Sequence, residues 1–235
     1  MKILICGVGG RMGREVAKLA LDGMRGAVPV AGFDVLPVDT REFPTYTDWN
    51  AVTELPDCII DFSHHAGTDA LLAFAVRHHI PVVLATTGHT EEELTRIHEA
   101  SKSTAIFFSA NMSVGVALLA ELAKQAAKTL GMDFDVEIVE KHHNKKLDAP
   151  SGTARSLADI VDANMDVKTD IQSVRCGEIP GIHTVGFEGL NDRITLSHEA
   201  FSREGFAAGA VEAALRTEGL TGVHEFKDIL MSSRA

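Results

Sequence analysis

The sequence predicts an α/β protein built around a doubly wound parallel sheet, followed by a smaller α+β segment with a mixed open sheet. Three observations carry this reading. Apolar strand-like runs alternate with helix-like periodicity from Lys2 to Leu130. The first run, Lys2-Ile3-Leu4-Ile5-Cys6, stops at the turn Gly7-Val8-Gly9-Gly10-Arg11-Met12-Gly13, from which a helix starts. Beyond Gly131 the pattern changes to strand-like runs with few helices between them.

Lys2–Cys6 is continuously apolar, as a parallel strand buried on both faces must be. Val16, Leu19, Ala20 and Met24 then recur at helical spacing. Strand, glycine turn and helix in that order open a Rossmann-like dinucleotide-binding unit, in which small residues let the backbone approach a pyrophosphate at the helix N-terminus. Gly7 and Gly9 fit G-x-G-x-x-G, but Met12 stands at the third position and the glycine falls at Gly13. A tight turn without a ligand has the same pattern. Asp34 closes a second strand, Val28–Phe33, at the distance expected of a residue that binds the adenosine ribose. A carboxylate there accepts hydrogen bonds from ribose hydroxyls and repels a 2′-phosphate, which favours NADH over NADPH. Arg11 and Arg14 lie close enough in sequence to offset a phosphate, and Asp34 is also placed to cap a turn before Pro37.

Residues 35–57 contain Pro37, Pro44 and Pro56 and read as a loop-rich connection with a short helix around Trp49. Cys58–Phe62 is a further buried strand that delivers Ser63-His64-His65 to the carboxyl edge, where open α/β sheets bind ligands; a solvated loop is the competing reading of the two histidines. A helix over Gly67–His79 and a strand over Pro81–Ala85 follow. Thr86-Thr87-Gly88 offers hydroxyl and backbone groups to a nicotinamide or ribose, while Thr90 and Glu93 form a capping box for a helix over Glu91–Ser101. Ala105–Phe108 is the next strand and ends in Ser109-Ala110-Asn111-Met112. A strongly apolar helix, Val114–Leu130, closes at Gly131. Strands are then expected over Phe134–Lys141, Ile171–Cys176, Ile182–Glu188 and Arg193–His198. A helix is expected over Gly152–Asn164, and an Ala-rich helix over Gly205–Arg216 returns to the first domain.

Of the 235 residues 45% are hydrophobic and 23% charged, the balance of an ordinary soluble globular chain. Lys and Arg number 22 against 33 Asp and Glu, a net charge of −11, which argues against nucleic acid or an anionic membrane as partner. Cys6, Cys58 and Cys176 are far apart and the first two sit in apolar runs, the pattern of buried thiols in a reducing compartment. The histidines show no metal-ligand spacing with one another or with cysteines, so no metal site is expected. The chain opens on a strand pattern and has no apolar run as long as a signal core or membrane span, so a cytoplasmic protein is expected.

Against that acidic background the segment Glu140–Ala154 stands out. His142, His143, Lys145 and Lys146 crowd together, and Pro150-Ser151-Gly152-Thr153 opens a helix, with Pro suited to the first turn and backbone N–H groups ready for a carboxylate. Imidazole titrates near neutrality, so His142 and His143 are natural proton shuttles. The segment suits a small anionic substrate that must be both gripped and protonated; a solvated surface loop has the same composition.

Gly7-x-x-Gly10-Arg11-Met12-Gly13, Ala85-Thr86-Thr87-Gly88, Ser109-Ala110-Asn111-Met112-Ser113-Val114-Gly115 and Glu140-x-His142-His143-x-x-Lys146-x-Asp148-Ala149-Pro150-Ser151-Gly152-Thr153-Ala154 resemble, in order, the sequence blocks of the dihydrodipicolinate reductases, also called 4-hydroxy-tetrahydrodipicolinate reductases. The blocks span most of the chain, and the last is long and highly specific. The resemblance implies NADH- or NADPH-dependent reduction of the cyclic imine dicarboxylate of the diaminopimelate route to lysine. It places His142 and Lys146 at proton-transfer positions and His143, Ser151, Gly152 and Thr153 at the substrate. It places Gly7, Val8, Gly9, Gly10, Arg11, Met12, Asp34, Ala85, Thr86, Thr87, Ser109, Ala110, Asn111 and Met112 at the cofactor. Residues 1–112 with 204–235 would form the dinucleotide-binding domain, and 113–203 the substrate-binding and oligomerisation domain, with closure about hinges near Met112 and Ser202–Gly205.

Three departures from the family pattern stand out. Asp34 precedes Val35 where the family often has Glu followed by Arg, which strengthens the expectation of NADH. Ala85 replaces the usual Gly, and Ile179–Ala200 is shorter than in the longer members. In the family that sheet builds a homotetramer, so a homo-oligomer is expected. Which of His142 and Lys146 donates the proton stays open, a bound anion raising the pKa of both. A non-catalytic dinucleotide sensor and another small amino-acid dehydrogenase on the same scaffold are the rival readings.

Overall fold

The computed structural model describes residues 1–217 and 219–226. The chain divides into two compact units, Met1–Ser113 with the chain from Phe206 onward, and Val114–Gly205. The boundaries expected from sequence fall at 112/113 and 203/204; residues 218 and 227–235 of the returning segment lie outside the described residues.

The first unit grows from β1 (Lys2–Cys6), in which Ile3, Leu4 and Ile5 are wholly buried. With β2 (Val28–Phe33), β3 (Thr45–Tyr46), β4 (Cys58–Asp61), β5 (Val82–Leu84), β6 (Ala105–Phe108) and, late in the chain, β11 (Gly222–His224), it forms a seven-stranded sheet in the order β11-β6-β5-β4-β1-β2-β3. Every pairing is parallel. Successive strands step outward from β1 to one side through β2 and β3 and to the other through β4, β5 and β6, so the winding reverses between β1 and β4. The carboxyl ends of those two strands open the crevice in which such sheets bind ligands. Helices α1 (Arg11–Leu21), α2 (Thr68–His78), α3 (Glu91–Ser101) and α6 (Glu204–Ala214) accompany the sheet. Leu71, Phe74, Ala75 and Ile97 pack against Leu4, Ile59, Val82 and Ile106 in its core.

Local chemistry sets the ends of these elements. At α3 the Thr90 hydroxyl accepts the Glu93 N–H while the Glu93 carboxylate accepts the Thr90 N–H at 2.8 Å, so the capping box is formed. Met24, expected to continue the first helix, lies beyond its end: Gly23, at φ +75°, turns the chain out of α1 and Met24–Gly26 forms a separate 3-10 turn. Around Trp49 a 3-10 turn, Trp49–Ala51, is present, but β3 and β11 were not foreseen.

The second unit packs α4 (Val114–Leu130) and α5 (Gly152–Met165) on a four-stranded sheet. Its strands are β7 (Asp135–His142), β8 (Asp170–Arg175), β9 (Gly181–Glu188) and β10 (Arg193–Ala200), in the order β10-β9-β7-β8. β7 and β8 are parallel, joined through α5; the other pairs are antiparallel. Ile138, Val185 and Phe187, all wholly buried, meet Leu119, Ala123, Leu157 and Val161 of the two helices. Gly131, at φ +62°, ends α4 as its position predicts. The segment that reads as short is a hairpin of β9 and β10, closed where the Gly189 N–H meets the Asp192 carbonyl at 2.9 Å. Pro150, expected in the first turn of α5, stands before it: Ser151 is the N-cap, and the Ala149–Pro150 peptide is cis.

Candidate active site

In the first unit the β1–α1 turn is built by contacts that only glycine allows. Gly7 has φ +73°, and a Cβ there would come within 2.7 Å of the Phe62 carbonyl; a Cβ on Gly13 would come within 2.1 Å of the Gly7 carbonyl. The glycine displaced by one position from the usual fingerprint therefore lets α1 press onto the turn. Gly10 caps α1 without a side-chain acceptor and its first turn carries no acid, a helix start suited to an anion. Asp34 holds the turn from β2: one carboxylate oxygen accepts the Gly9 N–H at 2.9 Å and the other the Leu36 N–H at 3.4 Å. It ties the turn and also faces a cleft of about 1070 Å³ bordered by Gly7, Gly9, Gly10, Arg14, Trp49, Ser63 and His64. The cleft lies at the winding reversal, and glycine turn, helix start and carboxylate fit a dinucleotide.

Beside this cleft, β4 ends in Asp61, wholly buried. Its carboxylate accepts the Ser63 N–H at 3.1 Å, the Ser63 hydroxyl at 2.5 Å and the Thr86 hydroxyl at 2.5 Å. Burial pushes this carboxyl up and the hydroxyl donors pull it back, with the upward push winning. Asp61 thereby links Thr86, after β5, to the wall of the cleft.

In the second unit, residues two apart on β7 share a face, which sets Glu140 and His142 side by side. His142 Nδ1 meets Glu140 Oε2 at 2.5 Å. Arg175, paired with His142 in the β7–β8 register, reaches the same carboxylate with both terminal nitrogens, at 2.8 and 2.7 Å. Glu140 also accepts the Ser151 N–H at 3.1 Å. Burial alone would raise the Glu140 carboxyl, but Arg175 and the other donors outweigh it and hold it at about 2. The His142 imidazole moves down from its ordinary value because burial, with smaller pushes from the charges of Lys146 and Arg175, outweighs the upward pull of Glu140. The Ser151 hydroxyl oxygen accepts the Ala154 N–H and lies 3.2 Å from Nε2 of His183 on β9, an imidazole that burial and His142 push down to about 4. An added Cβ on Gly152 would meet nothing within 4 Å, so there is room before the start of α5.

Residues 1–112 match the family model described as dihydrodipicolinate reductase, N-terminus, and residues 115–230 the one described as its C-terminus. The chain belongs to the dihydrodipicolinate reductase family. It is 46% identical over 234 residues to the 4-hydroxy-tetrahydrodipicolinate reductase of Caldanaerobacter subterraneus subsp. tengcongensis, covering 91% of each chain. To that of Clostridium tetani it is 36% identical, covering 93% of this chain and 92% of the other. A solved dipicolinate-bound dihydrodipicolinate reductase from Paenisporosarcina sp. TG-14 has the same fold, with a TM-score of 0.83 at 22% identity over 96% of this chain and 97% of that one.

In this member of the reductase family, Gly7, Gly9, Gly10 and Asp34 gather on the cleft, whereas Val8 is buried, Arg11 exposed and Met12 half-buried, none of them bordering it. Ala85 and Thr86 are buried and Thr87 is exposed. The Ser109 N–H is held by the Leu84 carbonyl at 3.2 Å and its hydroxyl by the Asn111 carbonyl at 2.9 Å; Ala110 is exposed and Met112 buried. His64 borders the cleft, while His65 pairs with Glu93 at 3.0 Å. His142 and Ser151 converge on Glu140, with Gly152 and Thr153 opening the helix beyond.

Lys146 pairs with Asp148 at 2.8 Å and Lys145 with Glu178 at 3.1 Å, so the basic cluster is largely neutralised by the chain's own acids. The half-buried His143 is anchored by its N–H to the Ile179 carbonyl at 2.8 Å. Arg175, His183 and Asp61 were missed, and Glu140 entered the sequence reading only as the first residue of its block, with no role of its own. Only Glu140 and Asp61 carried a signal, an acid inside or at the end of an apolar strand. Among the described residues no group of three or more His, Cys, Asp or Glu is arranged to hold a metal ion, and no helix is long and apolar enough to cross a membrane.

Proposed function

We propose that this chain reduces 4-hydroxy-tetrahydrodipicolinate to tetrahydrodipicolinate, with the first unit taking the nicotinamide nucleotide and the second the dicarboxylate. The observation that carries it is the convergence of a proton-exchanging imidazole, His142, and an anion-ready helix start at Ser151–Thr153 on one buried carboxylate, in a chain of this family. The nucleotide, when bound, supplies the hydride. The N–H groups opening α5, with His143 and Lys146, bind the substrate carboxylates; Lys146 exchanges Asp148 for them. The 4-hydroxyl leaves as water, which conjugates the ring with its nitrogen; hydride arrival at the carbon it vacates then leaves electron density that a proton from His142 or Lys146 quenches. Asp34 favours NADH by repelling a 2′-phosphate, with Val35 in place of a phosphate-binding arginine.

The protein works in the cytoplasm as a homotetramer. Supporting the assembly, α4 and α5 both lie on the sheet face that carries Ile138, Val185 and Phe187, and strand alternation puts Val139, Val174 and Ile182 on the other. The test follows NADH consumption while dihydrodipicolinate synthase makes the substrate in place. Consumption that depends on the synthase is expected. Stoichiometric NADH binding without turnover would select the sensor reading, and amine-dependent NAD+ reduction the amino-acid dehydrogenase.

A further inference from the structure

Glu140 has both oxygens fully used. Oε2 takes His142 Nδ1 and Arg175 Nη1, and Oε1 takes Arg175 Nη2 and the Ser151 N–H. Arg175 is further fixed by donating to the Asp148 carbonyl at 2.6 Å. Because an ionised carboxylate only accepts, His142 Nδ1 must carry the proton of their bond, and Nε2 is left as the reactive nitrogen. Nε2 lies on the Gly181 side, where an added Cβ would stand 3.1 Å away.

A lone buried carboxylate against an imidazole draws a second proton onto the ring; one already gripped by a guanidinium does so far less. The charged and titratable groups facing His142 are Glu140 on its own strand, Arg175 from β8, Lys146 from the loop beyond, and the His183 imidazole from β9, with ring centroids 5.1 Å apart. Burial disfavours the imidazolium first; Glu140 favours it, and Lys146 and Arg175 each offset part of that pull.

We infer that Glu140 and Arg175 are a positioning pair for the proposed reduction: Glu140 fixes the tautomer and direction of His142, and Arg175 keeps that carboxylate from charging the ring until a dianionic substrate arrives. The inference rests on the reductase reading. The substrate's two negative charges then stabilise a proton on Nε2. The reduced ring gains that proton, and His142 returns to its neutral form with Nδ1 still on Glu140.

The test is a pH titration of the histidine nitrogens by NMR in the full-length protein, with His142 assigned by the loss of its signals in His142→Asn, beside the pH profile of kcat/KM. Arg175→Met is expected to raise the His142 midpoint by about one unit, and Glu140→Gln to lower it by a similar amount and abolish the tautomer preference. Activity should fall by roughly tenfold to a hundredfold in both, with the acidic limb moving in the same opposite directions. Arg175→Lys, which keeps the charge and loses the fork, should leave the midpoint between wild type and Arg175→Met.

If Glu140→Gln does not fold, the two Arg175 variants carry the test. Equal loss of activity at every pH with unmoved midpoints would reduce the pair to packing and overturn the inference. Opposite midpoint shifts in a protein that never reduces the dicarboxylate would leave the pair standing and sink the reductase reading instead.

Discussion

Glu140 on β7 and His183 on β9 face each other in register, and both make the second unit sensitive to acid. His183 is buried neutral with its pKa pushed down to about 4, so the unfolded chain, titrating near 6.5, takes up protons that the native state refuses. Its contribution is complete above about 6.5 and is lost as pH falls toward 4. Glu140, held at about 2, acts lower: its contribution is complete above about 4.3 and is lost as pH falls through 2. Urea unfolding of wild type and His183→Gln between pH 4.5 and 7 checks the first window. The wild-type slope should be steeper by up to about 1.4 kcal/mol per pH unit, and equal slopes would refute the assignment. Asp34→Asn keeps an acceptor for the Gly9 N–H while removing the charge. It should narrow the NADH-over-NADPH ratio of kcat/KM by about tenfold, a change of ~1.4 kcal/mol; an unchanged ratio would show that Asp34 only ties the turn.

Among the elements, α5 is positioned by its cap and by the sheet beneath it. Ser151→Ala removes the acceptor for the Ala154 N–H and the partner of His183, and should cost about 1 kcal/mol in unfolding experiments. Phe187→Ala opens the wholly buried centre of the same core and should cost about 3–5 kcal/mol, enough to separate packing from capping. The strands and helices that carried strong patterns were legible: apolar runs stopped by glycine or followed by helical spacing gave β1, β2 and β4 to β7 with the helices between them. β3 and β11, of two and three residues, are too short for periodicity to register. The glycine turn and the helix start after Pro150 were equally legible as local structure, because neighbours in sequence build them, whereas the tie from Asp34 to the Gly9 N–H spans 25 positions. Arg175 was not legible, since only the parallel pairing of β8 with β7 brings it to a carboxylate 35 positions earlier. Pro150 misled because a proline before a cap and one in a first turn look alike in sequence.

At the scale of the whole molecule, the chain has two units with separate cores, and the proposal gives the nucleotide to the first and the dicarboxylate to the second. A homotetramer of 25.2 kDa chains should sediment at four times that mass, about 101 kDa; a monomer at enzyme-assay concentrations would contradict the assembly. The central claim is that the second unit's basic loop and helix start grip and protonate a dicarboxylate reduced by a nucleotide on the first. Lys146→Ala tests it most directly, with NADH affinity measured beside turnover on substrate generated in place. Turnover should fall by on the order of a hundredfold with NADH affinity unchanged, whereas a variant that turns over like wild type would contradict the account.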